Sequence, residues 1–223
     1  MVLFFDFPFS GNHSFLNTLP ENQSKSSQNE FSSPDAYSVE LMLRAKEDDL
    51  VAFEALVKEN QGKVANLIYQ MMGSSADVDD LAQQVFIKLW NSRKSYQPKA
   101  KFLTFLFTIT KRLVFNEVKR AHRRHESMVL DAKPEEGGLG EVLPSEQEDA
   151  TELALKMEKS EAIDRAIAAL PEKARLAILL KKDDQLSYGE IAKIVGVSVS
   201  ALKSLLFRAR AELKEALSKY LED

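Results

Sequence analysis

The stretch LSYGEIAKIVGVSVSALKSLL, residues 186–206, constrains the fold more tightly than any other part of the chain. Ser187 followed three residues later by Glu190 is a capping box, so a short helix starts there. Ala192 is small where two helices must cross closely, and Gly196 can take the positive φ of a sharp turn. Ser198 then caps a second helix, whose Leu202, Leu205, Leu206, Ala209 and Leu213 recur at helical spacing as a buried stripe. That leaves Ser198, Ser200, Lys203, Ser204, Phe207 and Arg208 on its outer side. The small residue and the glycine four apart inside an apolar frame favour a helix-turn-helix over an ordinary helical hairpin. A helix presented in this way fits the major groove, where Lys203 and Arg208 reach guanine edges or phosphates and serines bond either. Ser200 and Ser204 are poor nucleophile candidates, because neither sits in a nucleophile-elbow sequence and no histidine is near in sequence.

The remainder of the chain is also helical in period. Val39, Leu41, Met42 and Leu43 open an amphipathic run from Ser38 that continues through Phe53, Leu56, Val57, Val64, Leu67 and Ile68, with Gly62 as a soft point. After Gly73, Asp77 caps a helix in which Val78, Leu81, Ala82, Val85, Phe86, Leu89 and Trp90 are apolar. Its other face carries Asp79, Asp80, Gln83, Gln84 and Lys88. A loop over 91–101 contains Pro98, and a further helix is expected over 102–124. Helical periods resume over 151–169, 172–182, 187–194 and from 198 onward, and no alternating stretch is long enough for a strand. The expected architecture is all-α: two small helical domains, 38–125 and 152–223, joined by a flexible acidic linker over 126–151. Residues 1–37 read as a disordered tail, or in part as an over-extended start, rich in Ser, Asn and Gln. The apolar start lacks a basic region and carries Asp6 and Pro8, so neither a signal peptide nor a membrane-inserting helix is expected.

Charge distribution matters more than the total. The formal net charge of -4 argues against a polyanion partner only if the charge is evenly spread. Between residues 91 and 125 stand Arg93, Lys94, Lys99, Lys101, Lys111, Arg112, Lys119, Arg120, Arg123 and Arg124, against Glu117 as the one acid. Screening confines exposed charges to roughly 8–10 Å, so a polyanion feels this patch locally while the acidic linker hides it in the sum. Tyr96, Phe102, Phe105, Phe107 and Phe115 are interleaved with these cations, as in surfaces that stack single-stranded bases. Phe102, Phe105, Leu106, Ile109 and Leu113 share a core face, which leaves Tyr96 and its loop as the base-contact candidates. With Cys 0 there is no disulfide or thiolate metal site, and a reducing cytoplasm is the simplest compartment. No catalytic residues, resident metal or cofactor are expected. A metal-dependent nuclease using Asp77, Asp79 and Asp80 with His122 and His125 is disfavoured, because adjacent helix residues do not converge on one ion.

In this order, two helical domains, a basic aromatic region and a terminal helix-turn-helix, the chain resembles the extracytoplasmic-function (ECF) group of sigma-70-family factors over residues 38–125 and 160–215. DVDDLAQQVFIKLW, residues 77–90, is similar to the family's core-polymerase-binding segment. The resemblance implies polymerase contacts from Asp79, Asp80, Gln83, Gln84, Phe86 and Lys88. FLTFLFTITKRL, residues 102–113, resembles the segment that melts and reads the minus-ten element, with a base captured outside the stack by the loop over 91–101. By that likeness, and by charge, Arg93, Lys94, Tyr96, Lys101, Lys111, Arg112, Asn116, Lys119, Arg120 and Arg123 are the minus-ten contacts. Phe105 stands where the family usually has tryptophan, and Arg112 where it often has asparagine. LPEKAR, residues 170–175, with the helix-turn-helix resembles the domain reading the minus-thirty-five element, with Leu205 replacing a frequent basic residue. The implied partners are core RNA polymerase, promoter DNA both double-stranded and locally melted, and an anti-sigma protein as a further candidate. The rival expectation is a conventional helix-turn-helix regulator that never binds polymerase.

Overall fold

The computed structural model describes residues 34–73, 77–129, 150–182 and 185–220. Of the tail expected over 1–37 and the linker expected over 126–151, positions 1–33 and 130–149 lie outside them, whereas 34–37 form the start of α1 and 126–129 and 150–151 belong to α4 and α5, so both expected segments are shorter than their composition implied. The described residues form eight α-helices: α1 (Pro34–Lys46), α2 (Leu50–Met72), α3 (Val78–Ser92), α4 (Phe102–Val129), α5 (Ala150–Ala169), α6 (Glu172–Lys182), α7 (Tyr188–Val195) and α8 (Val199–Ala216). Single 3-10 turns follow α3 and α8, at Arg93–Ser95 and Ser218–Tyr220, and no strand occurs among the described residues.

The run read as continuous from Ser38 is in fact two helices. It breaks at Asp48, which takes φ 66, a conformation that aspartate tolerates better than most side chains. Asp49 then caps α2 by accepting the Ala52 N–H at 3.0 Å, and the Arg44 guanidinium braces the same carboxylate at 2.7 Å. Asp48 in turn accepts from Arg93 at 2.6 Å and Lys94 at 2.7 Å, tying this turn to the end of α3. Gly62 does not interrupt α2. The helix ends instead at Gly73, with φ 72 and its N–H donating to the Tyr69 carbonyl. Asp77 occupies the cap position of α3 as expected, but its side chain makes no cap hydrogen bond.

α4 begins earlier in its packing than in its sequence. The Phe102 N–H donates to Asp35 Oδ1 at 2.8 Å, so the first turn of α4 is capped from α1. Phe102, Leu103, Leu106, Phe107 and Val114 of α4 are buried together with Met42, Leu56, Ile68 and Leu89 from α1, α2 and α3. The same buried cluster continues into Leu176, Ile191, Ile194, Leu202 and Leu206 of the C-terminal helices. The two helical halves expected to be tethered therefore pack on each other, with α4 against α7 and α2 against α6.

α7 carries the capping box in full: the Ser187 hydroxyl accepts the Glu190 N–H, and the Glu190 carboxylate accepts the Ser187 N–H at 2.7 Å. Removing one half of it with Ser187→Ala should lower the unfolding free energy by about 1 kcal/mol. Equilibrium urea unfolding measures this; a midpoint identical to the parent's would mean that packing alone holds α7.

Candidate nucleic-acid and partner interfaces

The helix-turn-helix is built as its sequence implies. Gly196 has φ 80, and the N–H groups of Gly196 and Val197 both donate to the Ala192 carbonyl, closing the turn. Ser198 caps α8 by accepting the Ala201 N–H at 3.2 Å, while its hydroxyl lies 3.0 Å from that of Ser200. Leu202, Leu206 and Ala209 are buried and Leu205 and Leu213 half-buried, so the inner stripe is satisfied. Ser198, Ser200, Lys203, Ser204, Phe207 and Arg208 are all exposed on the outer side. Phe207 is 76% exposed, an unusual state for a phenylalanine that owes nothing to the core.

The second surface lies on α3. Val78, Leu81, Val85, Phe86 and Leu89 face inward, and Asp79, Asp80, Gln83, Gln84 and Lys88 are exposed. Steps of three and four residues stack these polar groups along one side of the helix. Phe86 does not belong with them: it is 6% exposed because it completes the apolar stripe, so it cannot be a direct surface contact in this arrangement. Ile87, passed over in the sequence reading, is 52% exposed and stands one turn from both Gln83 and Gln84. An isoleucine at helical spacing from the polar face, and off the buried stripe, was the available signal.

The third surface is the basic region, which the structure divides. Arg112, Asn116, Lys119, Arg120 and Arg123 are exposed at i, i+4, i+7, i+8 and i+11 and form a continuous stripe along α4. Glu117 answers two of the neighbouring cations, accepting from Arg120 at 3.1 Å and Arg124 at 2.6 Å. Arg93 and Lys94 are held at Asp48, and Arg93 lies 3.8 Å over the Trp90 ring. Those two hydrogen-bonded cations keep the Asp48 carboxyl below its ordinary pKa. Lys101 and Lys111 reach toward the C-terminal helices, Lys101 while staying partly exposed: Lys111 Nζ donates to the Val195 carbonyl at 3.2 Å, and Lys101 Nζ lies 3.5 Å from Glu190. Burial, with Lys173 and Arg112 nearby, lowers the Lys111 pKa.

Tyr96 corrects the expectation of a stacking platform. It is 2% exposed, its ring 5.2 Å from Phe105 and 6.5 Å from Phe102, so it plugs the base of α4. Its hydroxyl has no hydrogen-bond partner, and burial, with the Asp35 carboxylate nearby, pushes its pKa up to about 12. The surface of the 91–101 loop is offered by Pro98 and Lys99, which line an open cleft with Asp35, Val39, Glu40 and Leu43 of α1. Among the described residues no group of three His, Asp or Glu side chains is placed to hold a metal ion. No helix among them is long and apolar enough to cross a membrane.

Comparison with known proteins matches the chain to two family models, Sigma-70 region 2 over residues 56–124 and Sigma-70, region 4 over residues 160–213. The ECF RNA polymerase sigma-E factor of Escherichia coli is 35% identical over 175 residues, covering 76% of this chain and 88% of that protein. The RNA polymerase sigma-H factor of Pseudomonas aeruginosa is 28% identical over 184 residues, covering 82% and 95%. Among solved structures, CnrH in complex with the cytosolic domain of CnrY superposes with TM-score 0.58 at 21% identity, covering 82% of this chain and 98% of that one. The sigma factor RpoE of Bartonella quintana, in complex with the anti-sigma factor NepR, gives TM-score 0.58 at 19% identity, covering 74% and 96%.

Proposed function

Since the chain belongs to the ECF group of the sigma-70 family of bacterial RNA polymerase sigma factors, we propose a division of its work among the three surfaces. The α3 face of Asp79, Asp80, Gln83, Gln84 and Lys88, extended by Ile87, docks on core RNA polymerase. The α4 stripe of Arg112, Asn116, Lys119, Arg120 and Arg123 takes the minus-ten element, with the cleft beside Pro98 and Lys99 receiving an unstacked base. The outer side of α8 reads the minus-thirty-five element as duplex DNA. The protein directs promoter-specific initiation by binding and melting, and its own side chains make or break no covalent bond.

The observation that carries this division is the α3 face. Its helix has already buried its apolar side, yet four acidic and amide groups and an isoleucine remain exposed in one patch. A regulator acting through the helix-turn-helix alone gives that patch nothing to bind. An anti-sigma protein is a further proposed partner, by analogy with the structures solved with NepR and with the CnrY domain.

The α8 assignment is tested with duplex DNA carrying the minus-thirty-five element. Lys203→Ala combined with Arg208→Ala should weaken binding at least about tenfold and reduce the salt slope by roughly 2 if both contact phosphate. Phe207→Ala should relax the base preference at one position where an apolar contact meets a thymine methyl. Fluorescence anisotropy across a salt series reads both; an unchanged affinity in the double variant would remove α8 from the interface.

A further inference from the structure

α1 and the turn after it hold the 91–101 loop at both of its roots. Lys46, the last residue of α1, donates from Nζ to the Tyr96 carbonyl at 3.1 Å. Two residues on, both oxygens of Asp48 are engaged: Oδ1 accepts from Arg93 Nε at 3.0 Å and Nη2 at 2.6 Å, and Oδ2 accepts from Lys94 Nζ at 2.7 Å. At the opposite end of α1, Asp35 accepts the Phe102 N–H at 2.8 Å. The Tyr96 and Phe102 rings meet edge to face at 6.5 Å and close the stem, so residues 97–101 form a short excursion between two fixed roots. Its tip of Pro98, Lys99 and Ala100 makes one wall of the open cleft, and Val39, Glu40 and Leu43 of α1 make the other. Asp48 holds this arrangement at φ 66. Glycine takes such a backbone without strain, and asparagine at lower cost than most residues. Neither offers a charged acceptor to two cations, so the position uses the side chain and not only the turn. With the Asp48 side chain 55% exposed, these ion pairs add little stability, and their main consequence is geometric.

We propose that α1 is the splint of the base-receiving cleft, and that Asp48 and Lys46 are positioning residues for capture of the unstacked minus-ten base although neither touches DNA. The inference rests on the reading above of the cleft beside Pro98 and Lys99. Extruding a base already costs unpairing and unstacking. A loop that had to be ordered at the same moment would add its conformational entropy to that cost. A loop fixed at both roots when the protein folds has lost that freedom before DNA arrives. Arg93 and Lys94 then act through Asp48 on the shape of the cleft instead of gripping phosphate, and Arg93 is held a second time by the Trp90 ring, 3.8 Å away. The opposite role has an opposite signature. If Asp48 merely neutralised two DNA-binding cations, its removal would strengthen binding to any strand, with or without the captured base.

The test uses the full chain bound to core RNA polymerase, with labelled non-template-strand oligonucleotides carrying the minus-ten element of a promoter that it transcribes. Each base of the element is replaced in turn by an abasic unit, and the position with the largest loss of affinity marks the captured base. In the parent that loss should be about tenfold or more, the range of a single base-stacking contact. Asp48→Gly suits the left-handed backbone, and Lys46→Met keeps most of the apolar stem of the side chain. In each of them the loss should shrink to about threefold or less, while affinity for the strand abasic at that position does not fall. Asp48→Asn, which keeps a neutral acceptor, should lie between Asp48→Gly and the parent. An undiminished loss in either variant overturns the proposal for that residue. A uniform drop for every strand, the abasic one included, overturns it as well, because it would mark the residue as holding the fold alone. If no position stands out in the parent, the reading of the cleft as a base site fails; if one stands out and survives both variants, only the splint does.

Discussion

Replacing Asp80 and Gln83 together with alanine is expected to weaken binding to core RNA polymerase by about two orders of magnitude without changing the fold. Both side chains are exposed on α3, opposite a stripe that is already buried. Neither side chain makes a hydrogen bond among the described residues, and the helix-dipole contribution of Asp80 in the first turn, about 0.3–1 kcal/mol, is offset in part by the stronger helix propensity of alanine. Hydrogen bonds at the centre of an interface contribute about 1–3 kcal/mol each when one of the partners is charged or left unpaired. Two of them sum to about 3 kcal/mol, which is over a hundredfold in affinity. Binding of labelled protein to core polymerase, paired with urea unfolding of the free variant, separates the two effects. A variant that binds core within threefold of the parent would move the polymerase contact away from α3.

The largest loss of stability is expected at Phe102. Its ring is 0% exposed at the start of α4, edge-on to Tyr96, and its N–H is held by Asp35. Phe102→Ala leaves a cavity where α1, the 91–101 loop and α4 meet, at a cost of about 4 kcal/mol. That is a large part of the 5–15 kcal/mol typical of a whole domain, so partial unfolding at 37 °C is expected. Phe207→Ala is the matched control: the ring is 76% exposed, and its removal should change stability by less than about 0.5 kcal/mol. Urea midpoints of the two variants should therefore differ by several-fold in their shift from the parent. Equal shifts would show that Phe102 is not the anchor that its burial implies.

What could be read from sequence follows the range of the interactions involved. Ser187, Glu190, Gly196 and Ser198 act on neighbours within four residues, so the capping box, the turn and the second cap were all legible. The polar face of α3 was legible for the same reason, since helical period alone separates Asp80 and Gln83 from Leu81 and Val85. Tyr96 was misread because an aromatic beside cations looks the same whether it faces solvent or, as here, Phe102 and Phe105. Phe86 was included with its polar neighbours through the family likeness, although its position in the apolar stripe already placed it inside. The break at Asp48 had no glycine or proline to announce it, and its stability comes from Arg93 and Lys94, which are distant in sequence. The use of Lys101 and Lys111 by α7 lies further out of reach, because it joins segments separated by 84 residues.

Transcription in vitro decides whether the protein works as a sigma factor. Purified protein is combined with bacterial core RNA polymerase and a genomic promoter library, and transcript starts are mapped with the parent and with the Asp80→Ala, Gln83→Ala variant. Promoter-specific transcripts are expected that require the protein, share upstream elements near minus ten and minus thirty-five, and vanish with the double variant. Specific duplex binding by the protein with no core-dependent transcript would contradict that expectation and leave a DNA-binding regulator in place of a sigma factor.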